Sequence, residues 1–262
     1  MEEYPSNIIL SWISNYFWVY VRVSSMLMVM SVTGARFVTP RIRLYLGLAI
    51  TFTISTTIPT VSNDISPFSF KGLEIILEQI IIGISMGFIT QFMIQTFVIL
   101  GQILGMQSSL GFASMVDPVN GQNTPLLGQL FMFLSIMFFL STDGHLKMIQ
   151  LMAISFKTLP IEKSSLSAVD FREIALWLGI MFKTALNISL SGIIVLLTVN
   201  LSFGMMTRTA PQLNIYSLSF AFTLLVGLLL CWYILSSLHS HYHLFRIQIE
   251  QQVCRLIQLN CL

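Results

Sequence analysis

Between Glu78 and Asp143 the chain carries a single charged residue, Asp117. This region must therefore coat two long apolar stretches, one on each side of that acid. The segment around Asp117 holds Gly105, Gly111, Pro118, Gly121 and Pro125, and a continuous helix does not accommodate that density of Gly and Pro. Irregular backbone beside hydrocarbon must be covered by protein or line a cavity, and an acid placed there is costly to retain. The stretch 105–125 is thus the first candidate for a functional segment.

Composition sets the class. Hydrophobic residues make up 55% of the chain and charged residues 9%, whereas soluble domains average about 25% charged. So few charges cannot cover a soluble core of this size, so the apolar surface must meet lipid or other protein chains. The net charge of +2 comes from 13 basic and 11 acidic residues spread singly. No basic stripe exists to neutralise a row of phosphates, which excludes nucleic acid as a partner. Cys231, Cys254 and Cys261 lack a C-x-x-C spacing and leave an odd thiol, which argues for packing roles and against a disulfide framework. The start, Met1-Glu2-Glu3-Tyr4-Pro5, has no basic n-region, and the apolar run after it contains Arg22; a removable signal peptide is not expected.

Apolar runs cover 8–32, 44–61, 75–104, 126–140, 174–206 and 213–238. A bilayer core asks for about 20 helical residues. Against that length the fourth run is short, while the third and fifth are long, an excess that tilt or kinks absorb. Arg36, Arg41 and Arg43 belong on the cytoplasmic side by the positive-inside rule, yet six alternating spans then send Arg246 and Arg255 to the opposite side. The two signals conflict, which points to helices covered by assembly partners as well as by lipid. Domain organisation is expected to be one multi-helix domain, 1–238, followed by a tail, 239–262.

The 75–104 run has the clearest periodicity. At about 100° per residue, Gly83, Gly87, Gln91, Gln95, Gly101, Gln102 and Gly105 fall within one third of the helix circumference. Small residues let helix backbones approach and amides bond across the gap; the alternative is a stripe facing a wet lumen. Ile84, Ile94 and Val98 share the arc, so it is mixed.

Three patterns suggest chemistry. Gly83-Ile84-Ser85-Met86-Gly87 matches G-x-S-x-G, with Asp117 and His145 following in hydrolase order, but a nucleophile elbow needs a strand–turn–helix and this one sits inside a helical run. Asp143-Gly144-His145 pairs a carboxylate with an imidazole, as acid–base work requires, and equally makes a turn at a membrane boundary. His239, His241 and His243 put two imidazoles four residues apart on one helix face, without the Cys, Asp or Glu that would complete a metal site. None of the three carries an enzyme, a cofactor or a metal.

The loop is different. Met106, Leu110, Phe112, Met115 and Val116 make it too apolar for a solvated connection, while Asp117-Pro118 and Gly121 supply turn chemistry. A loop that constricts a pore satisfies both, with Met flexible enough to fill a gap and repack; a loop buried only against its own helices is the other reading.

Three stretches together resemble the signatures of the FliR/SctT family: 101–118; Asp143-Gly144-His145 leading to Ser155-Phe156 and Leu159-Pro160; and 204–214 with Arg208, Pro211, Gln212 and Asn214. The stretch 36–46 is similar to that family's first loop and second helix. The Gly-His and Ser-Phe pairs favour the flagellar branch over the injectisome branch. The resemblance implies an all-α membrane fold of helical hairpins, like FliP and FliQ joined. It also implies a non-enzymatic subunit of the flagellar type III export gate, in the bacterial inner membrane at the basal body. Implied partners are FliP, FliQ, FlhB and FlhA, with unfolded flagellar proteins as cargo and the stretch 105–122 as the plug. Ser191 and Ala221 stand where many relatives have proline, so kinks there are expected to be absent or differently made. A rival reading is an ion-coupled transporter using Asp117, because a lone intramembrane acid is what such carriers use.

Overall fold

The computed structural model describes residues 4–35, 37–57, 69–112, 114–116, 123–161, 168–209 and 215–259, with side chains described over most of these. Seven helices occur among them: α1 (Tyr4–Val29), α2 (Pro40–Ser55), α3 (Phe70–Gln107), α4 (Leu126–Ser141), α5 (Gly144–Thr158), α6 (Ala168–Thr209) and α7 (Ile215–Leu256). Strands β1 (Ser114–Val116) and β2 (Asn123–Pro125) form an antiparallel ladder of three residue pairs between α3 and α4. The fold is that of an all-α membrane protein. Among the described residues three helices are long and apolar enough to cross a bilayer: Phe70–Gln107, Arg172–Thr209 and Ser217–Leu256.

Local chemistry sets the breaks. Pro40 opens α2 behind Thr39, where its missing N–H would be unbonded anyway. Asp143 separates α4 from α5 in a left-handed conformation, φ 54°, which short polar side chains tolerate better than most. Pro160 follows the end of α5 and cannot extend it. Ser191 and Ala221 lie within α6 and α7, neither of which is interrupted at those positions. α7 also crosses 238–239 without a break and continues to Leu256.

The chain divides into two units. The first comprises Met1–Gln91, Asp143–Trp177 and Ile249–Leu262. Its core contains Trp18, Val23, Met26, Ile82, Met86, Met152, Val253 and Ile257. α1 lies against α2, with Tyr16 stacked on Phe52 and Gly47 set beside Tyr20. A Cβ on Gly83 would strike the Arg22 carbonyl and Ser25 hydroxyl of α1, and one on Gly87 would stand 2.8 Å from the Met26 oxygen. The second unit comprises Phe92–Thr142 and Leu178–Gln248. Its core gathers Phe97, Phe131, Phe139, Tyr242 and Phe245; the Phe97 ring lies 5.9 Å from Tyr242 and 6.3 Å from Phe245.

Large apolar side chains remain exposed in helical register. On α6, Leu186, Leu190, Ile194, Leu197 and Leu201 are uncovered, and on α7 so are Leu225, Leu229, Trp232 and Tyr233. Patches of this extent mark contact with lipid or protein.

Candidate functional site: the α3–α4 loop and its supports

The loop begins where α3 stops. Ser108 N–H still closes a helical bond to the Leu104 carbonyl at 3.0 Å. Ser109 then takes φ 62°, which ends the helix. A short 3-10 turn, Leu110–Phe112, follows, and a Cβ on Gly111 would lie 3.0 Å from Met106 Cα, so the turn doubles back onto α3. The chain then enters β1, pairs through Ser114↔Pro125, Met115↔Thr124 and Val116↔Asn123, and passes into α4.

Both roots of the loop are held by backbone-close packing. A Cβ at Gly101 would stand 2.5 Å from the Leu127 carbonyl oxygen and 2.7 Å from Gly128 Cα. A Cβ at Gly105 would lie 3.4 Å from Pro125 Cβ, and one at Gly128 would lie 3.2 Å from Gln102 Cγ. Glycine is required at Gly101, where any side chain would strike the α4 backbone.

Met106 is 66% exposed, whereas Leu110 and Gly111 are half-buried. Phe112, Met115 and Val116 are described in backbone only, and Asp117, Pro118 and Gly121 lie outside the described residues. Gln91, Gln95 and Gln102 on α3 are half-buried.

The other sequence candidates distribute as follows. Ser85 is buried mid-helix and its hydroxyl donates to the Ile81 carbonyl at 2.7 Å, so it is engaged within its own helix. Asp143 is exposed, Gly144 is buried at the start of α5, and His145 is half-buried with its Nδ1 lacking a hydrogen-bond partner. His239 and His243 are exposed on α7, and the His239 ring lies 5.7 Å from Phe138. Among the described residues no group of three His, Cys, Asp or Glu side chains is placed to hold a metal. Cys231 is free and buried, but Cys254 is disulfide-bonded, which corrects the reading of all three cysteines as packing residues. Arg208 is exposed in the last turn of α6, where a cation favours the helix dipole. Pro211, Gln212 and Asn214 lie outside the described residues.

Sequence reasoning missed a polar cluster that is built on Arg22 in the first unit. Arg22 is fully buried. Its Nε donates to Gln79 Oε1 at 2.7 Å, Nη1 to the Ser155 carbonyl at 3.2 Å and Oγ at 3.1 Å, and Nη2 to the Leu159 carbonyl at 2.9 Å. The guanidinium also lies 4.2 Å from the centre of the Phe156 ring. A buried charge persists only when hydrogen-bonded on most sides, and the planar fork of Arg meets this by reaching two carbonyls at the end of α5. Ser155, Phe156 and Leu159 lie in a stretch on which the family resemblance was read, and here they cradle a buried cation. The available signal was Arg22 itself, an unpaired charge inside an apolar run.

Residues 13–245 match the family described as bacterial export proteins, family 1. The chain is 38% identical over 219 residues to the flagellar biosynthetic protein FliR of Escherichia coli (strain K12), covering 84% of this chain and 83% of that protein. It is 35% identical over 219 residues to the same-named protein of Pectobacterium carotovorum subsp. carotovorum, covering 84% of this chain and 83% of that relative. Over 233 residues it is 30% identical to that of Buchnera aphidicola subsp. Baizongia pistaciae, covering 89% of this chain and 90% of the relative. With a family match across most of its length and relatives this similar over more than four-fifths of theirs, the chain belongs to the bacterial export proteins, family 1.

Proposed function

We propose that this chain is a non-enzymatic, integral subunit of the flagellar type III export gate in the bacterial inner membrane, at the basal body. In this reading it assembles with FliP and FliQ, beside FlhB and FlhA, around a conduit for unfolded flagellar proteins. Family membership and relatives named as flagellar biosynthetic proteins support a role in flagellar export. The uncovered apolar faces of α6 and α7 support burial against lipid and neighbouring subunits.

The loop between α3 and α4 acts as the plug. Its apolar side chains close the conduit to water and ions by steric filling, and arriving cargo displaces them. Asp117, Pro118 and Gly121 set the bend of the tip. The observation that carries this reading is the pairing of a firmly rooted base, with α3 and α4 in backbone contact at Gly101 and Gly128, with an apolar segment that leaves Met106 two-thirds exposed.

The test removes the tip and keeps the root. Ser114 and Pro125 are cross-strand partners, so excising residues 115–124 and bridging with Gly-Gly leaves a two-residue hairpin turn. Reconstituted gate complexes carrying this deletion are expected to assemble and to leak ions across a planar bilayer. A conductance equal to that of the intact complex would remove the plug role.

A further inference from the structure

The C-terminal end of α3 is seated against α6 and α7 at contacts that the packing of α3 on α4 does not explain. Leu104 and Ser108, one helical turn apart, are both buried. A Cβ on Gly192 of α6 would stand 2.5 Å from Leu104 Cδ2, and one on Gly227 of α7 would land on Ser108 Cβ. One turn before Gly227, Thr223 is buried with its Oγ1 3.0 Å from Ser109 Oγ. The Thr223 hydroxyl also donates to the Phe220 carbonyl at 3.1 Å, so its oxygen is left to accept the Ser109 proton. Ser109 is the residue with φ 62° that turns the chain out of α3 into the loop. A left-handed serine persists where its surroundings over-determine it, and two contacts from α7 bear on this point of the chain: the Thr223 hydroxyl on Ser109 and the close approach of Gly227 to the preceding Ser108.

We propose that Thr223 and Gly227 form a latch through which α7 sets the position of the loop. With α7 seated, Ser108 is trapped against Gly227, Ser109 is hydrogen-bonded to Thr223, and the chain is forced out of the helix at that point. Displacement of α7 by a neighbouring subunit or by cargo breaks both contacts and frees Ser109 to relax towards helical geometry, which redirects the loop. Thr223 and Gly227 are positioning residues that act through the root, without touching cargo. The inference rests on the plug reading for its consequence in export, while the latch itself is a property of the root.

Two readouts separate these levels. In the purified, complete gate complex, amide hydrogen exchange over 108–116 reports the root whether or not the loop is a plug. Thr223→Val keeps the shape and removes the hydroxyl, and is expected to raise exchange there by about five- to tenfold, as loss of one hydrogen bond predicts. Gly227→Ala forces Ser108 away and is expected to do the same. Ser109→Gly removes the hydroxyl but suits the positive φ, so it provides a variant that folds even if Gly227→Ala does not. Unchanged exchange in Thr223→Val and Ser109→Gly would overturn the latch. In bilayers, Thr223→Val is expected to leak less than the tip deletion and to add nothing on top of it. A leaking tip deletion beside a tight Thr223→Val complex would overturn the coupling and leave the plug standing; a tight tip deletion beside raised exchange would do the reverse.

Discussion

Arg22 Nη2 donates to the Leu159 carbonyl at 2.9 Å, so a cation in the first helix completes the hydrogen bonding at the end of the fifth. The Leu159 carbonyl lies just past the last turn of α5, where backbone acceptors lack intrahelical donors, while the Ser155 carbonyl accepts the Leu159 N–H at 2.8 Å and Arg22 besides. Arg22 also reaches Gln79 on α3, which makes one side chain of α1 the shared partner of α3 and the end of α5 in the first unit.

Arg22→Met keeps the volume and removes the donors, leaving Gln79 Oε1 and the Leu159 carbonyl without this partner in a dry site. The expected destabilisation is about 1–3 kcal/mol for each buried acceptor left unsatisfied. Arg22→Lys supplies a point charge without the fork and should restore only part of it. Thermal melting of the detergent-solubilised protein, with its level in the membrane, checks both.

Glycine substitutions on different helices should diverge. Gly83→Ala drives a Cβ into the Arg22 carbonyl and Ser25 of α1, an overpacking expected to cost about 1–3 kcal/mol. Gly179→Ala on α6 meets nothing within 4 Å and should stabilise by about 0.5–1 kcal/mol through helix propensity. Melting temperatures of the two variants in one detergent should move in opposite directions.

Ending the chain after Gln248 removes Val253 and Ile257, both fully buried in the first unit. At about 1.5–3 kcal/mol for each buried aliphatic side chain, the truncated protein is expected to accumulate poorly and to melt early. A full-length chain carrying Val253→Asp should behave similarly. Normal accumulation of both variants would show that the end of α7 contributes nothing to stability.

Asp117→Asn distinguishes gating from ion transport. A steric plug needs the bend and not the charge, so motility should persist in swimming assays. Loss of motility with an assembled complex would instead support an ion-coupled transporter.

Ser85→Ala and the pair Asp143→Ala with His145→Ala should likewise leave motility intact. In a membrane enzyme either change would abolish it while the complex still assembled.

Much of the helical architecture was readable from hydrophobicity, and the omissions have specific causes. α5 falls outside the apolar runs because His145, Lys147, Gln150 and Lys157 interrupt it. Yet Met148, Leu151, Met152, Ser155 and Phe156 are buried at helical spacing, a period that survives where average hydropathy fails. The end of α7 was obscured in the same way: Leu238, Tyr242, Phe245, Ile249 and Val253 are buried three to four residues apart between polar neighbours. The glycine spacing on α3 is visible in sequence; that Gly83 meets α1 while Gly101 meets α4 is not. Arg22 shows its anomaly but not its partners, which lie 57 and more than 130 residues away. The ladder at Ser114–Val116 has too few residues to produce an alternation that could be read.

The exposed aliphatic row Leu186, Leu190, Ile194, Leu197 and Leu201 makes stability a shared quantity. Whatever coats that row binds the folded form and not the unfolded one, so it shifts the folding equilibrium by mass action. Melting curves taken in detergent, in vesicles and in the proposed gate complex therefore refer to three different equilibria, and mutational effects are comparable only within one of them.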